Sequence, residues 1–392
     1  MRECSTVRVG KTHVSIILTI AVTAMLYGVW LNTERPFDHP ESLAGIGDRF
    51  LAQGNGGSTA IDELDAAKVP GSGYDGQFFL FMAIDLTRAP AYVDVPRYRL
   101  SRVGFPVAAA TLAGRNRSVI PWVMLSIELA AVLATTGLLA VMVSAGGGSA
   151  FLALLYGLAP GLFISASRLL SEAPANALAL LGVFLWLRGR NGPRATRTIA
   201  LAGVVFAAAA LTRETTLLFP LGIATWMVTT SRGSIRARIG PAALLVGLAM
   251  TPLLCWHVFL IRWLPLVAMG PDSHLVLLPF GGLVAHGASS TTVLQTIAVV
   301  APACLMVVIT AAGTRWSVWT SVILLNAAVL VVFLPILSYA DFAASGRITL
   351  PVLLTFVLAI PAVRGRLRLY GVPVVGILVM LPWLYFFPRY VF

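Results

Sequence analysis

Apolar runs separated by short polar segments make up most of the chain. They fall at 14–31, 118–143, 150–167, 173–188, 198–212, 214–230, 240–262, 291–312, 317–337, 347–363 and 370–387. Several approach the ~20 residues that a helix needs to cross a bilayer. The pattern predicts an all-α polytopic membrane protein with about 11 transmembrane helices. The first run resembles a signal peptide. No small-residue cleavage site follows it and many spans come later, so it reads as the first transmembrane helix. A further run, 103–114, conflicts with this count. Its ~12 residues reach ~18 Å against a hydrocarbon core of ~30 Å, which makes it a partial or interfacial helix. Counted as a span, it would invert everything downstream. The alternative is that it crosses and that another run, such as 150–167, does not.

One long polar stretch interrupts the pattern. Residues 32–100 hold ten of the sixteen carboxylates: Glu34, Asp38, Glu41, Asp48, Asp62, Glu63, Asp65, Asp75, Asp85 and Asp94. Gly54-Asn55-Gly56-Gly57-Ser58 reads as a flexible connector. Residues 61–68 read as a short surface helix with Asp62 and Glu63 at its positive end. From Gln77 onward, helical spacing gathers Phe78, Phe79, Met82 and Leu86 into one apolar stripe. Such a helix is expected to lie flat at the membrane interface.

Composition agrees with the pattern, and charge adds orientation. The 392 residues are 58% hydrophobic and 11% charged, against about 25% charged in soluble domains. The net charge of +12 does not point to nucleic acid, because the basic residues sit in short loops between apolar runs. Three loops carry arginine and no acid: Arg188, Arg190, Arg194 and Arg197; Arg232, Arg236 and Arg238; Arg364, Arg366 and Arg368. Positive loops stay on the cytoplasmic side. With Arg2, Arg8 and Lys11 ahead of the first run, the N-terminus is expected in the cytoplasm and the stretch 32–100 outside. Only Lys11 and Lys68 among 28 basic residues are lysine, and alanine is abundant, which fits a bacterial plasma-membrane protein. Cys4, Cys255 and Cys304 imply no disulfide framework.

The segment Gly73-Tyr74-Asp75-Gly76-Gln77-Phe78-Phe79 is the best candidate for chemistry. Its carboxylate stands beside a glycine at the foot of an aromatic helix. Asp75 reads either as a catalytic or substrate-binding acid or as a helix N-cap. Asp48 is the second candidate, with a salt bridge to Arg49 as the plain explanation. Arg213, beside Glu214, interrupts two apolar runs, as a phosphate grip or as a hairpin closed by its neighbour. Arg168 and Glu172, four apart, are expected to pair. Arg99, Arg102 and Arg347 read as phosphate contacts or interfacial anchors. His257, His274 and His286 lack ligand spacing, so no metal site is expected. No phosphate-binding loop, dinucleotide fingerprint, nucleophile elbow or zinc motif is present.

These features resemble the GT-C superfamily of membrane glycosyltransferases. The Tyr74-Asp75-Gly76-Gln77-Phe78 block, followed by Asp94-Val95-Pro96-Arg97-Tyr98-Arg99, is similar to a bacterial branch of that superfamily. Gly45-Ile46-Gly47-Asp48, Ser171-Glu172-Ala173 and Leu211-Thr212-Arg213-Glu214-Thr215 are similar to other elements of it. The chain departs from several GT-C families in having no adjacent acidic pair after the first helix, so Asp75 and Asp48 both stand as candidate base.

The resemblance implies one integral membrane domain over 1–392, with a first outer loop over 32–102. The rest of a catalytic module would fill 103–231, and a C-terminal transmembrane module 232–392. It further implies a polyprenyl-phosphate sugar as donor and a glycan, lipid or protein acceptor. Arg213, Arg102, Arg347 and Arg99 would then bind the donor phosphate. Tyr74, Gln77, Glu172 and Glu214 are the candidate substrate-binding residues, and no cofactor is expected. A transporter or lipid flippase, and a non-catalytic envelope assembly factor, are the alternatives from other classes.

Overall fold

The computed structural model describes residues 3–34, 39–54, 56–64, 68–189, 195–230, 234–267, 274–314 and 316–384. Arg2, Asp38, Asn55, Asp65, Arg190, Arg194 and Arg232, named above, lie outside the described residues. Among those described there is no strand; a single bridge joins Gly47 to Val69. Six helices are long and apolar enough to cross a membrane: His13–Thr33, Ile120–Ala145, Ala195–Thr212, Arg238–Trp263, Ser290–Thr314 and Phe342–Ala362. A seventh is added if Ala150–Gly157 and Pro160–Ser167, which meet at 55°, form one broken span. Val318–Val332 and Leu367–Met380 are shorter apolar helices. Glu172–Gly189 and Leu218–Thr230 coincide with two more of the expected runs. The chain is an all-α polytopic membrane protein.

Residues 103–114 form the helix Gly104–Leu112. Nine residues rise only about 14 Å, less than half of a bilayer core, so this helix cannot cross. One face packs on the fold, with Phe105, Pro106 and Ala109 buried and Gly104 set close against Thr212, while Val107 and Leu112 are exposed.

Small residues set the packing. Between apolar helices in lipid the hydrophobic effect gives little net attraction, so close backbone approach and dispersion must supply it. Gly182 faces the Phe206 ring and Gly189 faces Thr198, which makes Glu172–Gly189 and Ala195–Thr212 an antiparallel pair. Gly137 packs on Ile20, and Gly157 fits against Thr136 and Thr23. Gly203 admits Leu248, and Gly222 admits Val322. Aromatic contacts fill what the glycines leave. Phe163 meets Tyr27, Trp30 and Trp383 at ring-centre distances of 5.8, 5.4 and 5.0 Å.

The antiparallel pair fixes where polar residues gather. The start of Glu172–Gly189 and the end of Ala195–Thr212 lie at the same end of the bundle. The segment 39–103 packs there too. Two contacts hold it to the helix Ile235–Trp263. Arg97 donates from Nε and Nη2 to the carbonyl of Leu264 at 2.9 and 2.6 Å. Trp256 Nε1 donates to the carbonyl of Leu100 at 2.8 Å.

The segment differs from expectation in one respect. The helix Gly76–Ile84 does not present a single apolar stripe to an interface. Every residue from Gly76 to Ala83 is buried. A helix apolar on all sides belongs inside the structure. Here Phe79 packs on Phe105, Phe78 on Phe50 and Phe81 on Tyr92. The helix expected over 61–68, with Asp62 and Glu63 at its start, is not found among the described residues of that range; a short helix Thr59–Asp62 ends at Asp62 instead, and residues 65–67 lie outside the described residues.

Candidate functional site

The turn that carries Asp75 is shaped by glycine. Gly73 has φ +62°, and a Cβ there would overlap Gly45 O and Gly47 N. At Gly76 a Cβ would overlap the carbonyl oxygen of Arg168 and come within 3.1 Å of Ala44 O. Gln77 fastens the turn from inside. Its Nε2 donates to the carbonyls of Ser72 and Tyr74 at 2.6 and 2.9 Å, and its Oε1 accepts from Gly47 N at 3.0 Å. The amide that the sequence offered as a substrate contact is thus committed to the fold.

Asp75 opens the helix, yet its side chain makes no capping hydrogen bond. The carboxylate turns instead to two arginines. Arg347 Nη2 donates to Asp75 Oδ2 at 2.7 Å, and Arg99 Nη1 lies 3.1 Å from Oδ1. Arg99 also grips Asp94 with two hydrogen bonds of 2.7 Å. The second arm of Arg347 donates to Glu172 Oε1 at 2.9 Å. Arg213 Nη1 sits 2.9 Å from the same oxygen, close in charge but without hydrogen-bond alignment. Arg102 donates to Glu214 from Nε and Nη2, at 2.9 and 2.6 Å, and lies over the Tyr98 ring. Asp94, Arg99, Asp75, Arg347, Glu172 and Arg213 therefore form one chain of alternating charge, with Arg102–Glu214 beside it.

Two pairs expected from sequence neighbours do not form. Glu172 pairs with Arg213 and Arg347, not with Arg168 four residues before it. Arg213 and Glu214 do not close on each other; Arg213 reaches Glu172 at the start of a helix, and Glu214 reaches Arg102 in the turn before Gly104–Leu112. Neither pair lies on one helical turn: Arg168 follows the end of one helix and Glu172 starts the next, and Arg213 is extended, so tertiary contacts choose the partners of these buried charges.

Asp48 stands apart from this cluster. It is exposed, and its Oδ1 accepts from Gly71 N at 2.8 Å. Arg49 does not pair with it among the described residues; its guanidinium lies over Phe50. Of the candidate residues, Asp75, Arg99, Arg102, Glu172, Arg213, Glu214 and Arg347 thus meet in one cluster with Tyr74 at its edge. Asp48 and Gln77 serve the loop.

Burial and charge pull in opposite directions here. Burial raises the carboxyl of Asp75, but Arg99 and Arg347 more than reverse this and hold it well below the usual carboxylate range. Glu214 follows the same logic: burial raises it, Arg102 lowers it, and the result is about 2. The Tyr74 phenol is pushed up to about 12, chiefly by burial, so it stays a neutral donor at physiological pH.

Several buried polar atoms in and beside the cluster have no partner: Tyr74 Oη, Ser171 Oγ, Glu172 Oε2 and Arg347 Nε. Native interiors leave few such atoms bare, so a concentration of them marks a place for water or ligand. Glu128 is a further case that sequence reading missed. It is fully buried within Ile120–Ala145, both carboxylate oxygens lack hydrogen bonds, and Ser165 faces it short of bonding geometry. An acid inside an apolar run was the available signal. No grouping of three or more metal-ligating side chains occurs among the described residues. No family model matches the chain, and no curated protein or solved structure does either.

Two tests address the cluster. Glu172 is 1% exposed and answers two guanidiniums. Replacing it by Gln leaves the buried Arg213 without a counter-charge and Arg347 with Asp75 alone, and is expected to cost about 3–5 kcal/mol, read as a lower unfolding midpoint in detergent. An unchanged midpoint would mean that something other than Glu172 neutralises the arginines. The second test is acid titration. Asp75 and Glu214 have folded values below their unfolded ones, so their stabilisation is complete above the unfolded value and fades as pH falls. Thermal stability should be level down to about pH 5 and decline from about pH 4 toward 2. A level profile through that window would contradict the pairing.

Proposed function

We propose that the chain is a membrane glycosyltransferase of the GT-C kind, moving a sugar from a polyprenyl-phosphate donor to an acceptor outside a bacterial plasma membrane. The observation that carries this reading is the cluster itself. A partly open carboxylate, Asp75, stands beside arginines and unpartnered polar atoms at one end of a helical bundle. A transporter pathway would instead place its polar residues near the midplane.

In the proposed reaction Asp75 takes the proton from an acceptor hydroxyl. The acceptor oxygen attacks the anomeric carbon as the bond to the donor phosphate breaks. Polyprenyl phosphate leaves with the electron pair, and the arginine-rich surface stabilises its developing charge. One base suffices for such an inverting transfer. Asp75 is a weak base while Arg99 and Arg347 hold it. A phosphate arriving nearby adds negative charge, which favours protonation of the carboxylate. Donor binding would therefore raise the basicity of Asp75 when it is needed. Asp48, exposed and tied to Gly71, lies outside the charge cluster, which favours Asp75 as the base.

The transfer reading is tested in proteoliposomes with radiolabelled polyprenyl-phosphate mannose. Wild type should release polyprenyl phosphate with transfer of label. Asp75→Asn should lower turnover by about 10²-fold or more, the range for losing a general base, when assayed well below its own unfolding midpoint, which the loss of two ion pairs is expected to lower. Movement of labelled lipid between leaflets without bond cleavage would instead make the protein a flippase. Near-normal turnover in the Asn variant would reject Asp75 as base.

The reading also carries a full topology: eleven spans, a cytoplasmic N-terminus, and the segment 32–102 outside. In a background without native cysteines, Ser72→Cys should react with an impermeant thiol reagent in intact cells. Arg366→Cys should react only after permeabilisation. The opposite result would invert the bundle.

A further inference from the structure

The four arginines that the sequence offers to a donor phosphate are already engaged. Arg99, Arg102, Arg213 and Arg347 each lie within ion-pair distance of a carboxylate. Four guanidiniums and four carboxylates (Asp75, Asp94, Glu172 and Glu214) balance one another. Against this stands Arg168. Among the described residues it has no carboxylate within ion-pair distance. It is half-buried, and its guanidinium carbon lies 5.7 Å from the centre of the Tyr74 ring. Arg347 lies 5.5 Å from the same ring.

The backbone fixes Arg168 in this place. It ends the Pro160–Ser167 helix, and the next residue, Leu169, is fully buried with φ +51°. A leucine in the left-handed region is strained and persists only where the surroundings require it. The Arg168 carbonyl rests on Gly76, where no Cβ fits. The residue is thereby locked to the turn that carries Asp75. Close by are two donors without partners, Tyr74 Oη and Arg347 Nε. Asp341, which also acts on the Tyr74 phenol, is exposed and caps Ala343 N.

We infer that Arg168, with the Tyr74 hydroxyl, is the contact point for the phosphate of the ligand, while the paired arginines hold the site's shape and field. This rests on the proposed lipid-phosphate donor and sharpens it. An uncompensated guanidinium gains a full charge-assisted interaction from a phosphate. A paired one must first give up a carboxylate and leave it buried alone.

The test is direct binding to the full-length protein in detergent, with farnesyl phosphate as probe and farnesol as the uncharged control. Wild type should bind the phosphate and not the alcohol. Arg168→Gln should weaken binding about ten-fold or more, the loss of a hydrogen bond to a charged group. Its unfolding midpoint should stay within error of wild type, because no ion pair is removed. Tyr74→Phe, which keeps the ring and loses the hydroxyl, should weaken binding several-fold. Inorganic phosphate should compete only at much higher concentration; equal potency would overturn a lipid as the source of the phosphate. If wild type binds and Arg168→Gln binds equally well, the assignment of Arg168 is wrong and the donor reading stands. If wild type does not bind farnesyl phosphate, the phosphate-donor reading fails and the assignment falls with it.

Discussion

Glu172 shares one carboxylate oxygen between Arg213 and Arg347. That shared contact ties the start of one helix to the end of its antiparallel neighbour and to the distant helix Phe342–Ile348. All three side chains are buried. Desolvating a charge is costly, and mutual attraction repays it only when the geometry is good and partners are complete. The three elements therefore cannot slide or rotate independently. Asp75 joins this arrangement through Arg347, so the segment that carries it is registered on the bundle by the same constraint.

The arrangement creates a tension at Asp75. The contacts that position its carboxylate also stabilise its charge and so weaken it as a base. Catalytic groups serve best when their proton affinity lies near the working pH. Charge compensation also separates two roles that a list of arginines would merge. Arg99, Arg102, Arg213 and Arg347 complete pairs, whereas Arg168 does not.

Packing between the apolar helices has a different origin. Glycines at 157, 182, 203 and 222 let helices approach closely, and aromatic rings close the remaining gaps. Glycine does related service in the segment that carries Asp75. Gly73 and Gly76 make room for backbone, and the turn they permit aims Asp75 away from its own helix and toward Arg347. Polar order and apolar packing thus depend on the same small residue in different ways.

The fold class was legible in the sequence because hydrophobic run length is a local property. The long apolar helices, the short 103–114 helix and the long polar stretch that interrupts the runs all follow from it. The sequence also singled out Asp75, Glu172, Arg213, Glu214 and Arg347 as polar residues out of keeping with their surroundings. It did not determine their partners. Neighbouring residues suggested Arg168 with Glu172 and Arg213 with Glu214, but the bundle matched Glu172 to Arg213 and Arg347, and Glu214 to Arg102. The burial of the Gly76–Ile84 helix on every face was likewise decided by what packs around it. Ion pairing and burial depend on which chain ends meet in space. Once the antiparallel packing was set, the cost of burying a lone charge settled which acid answered which arginine.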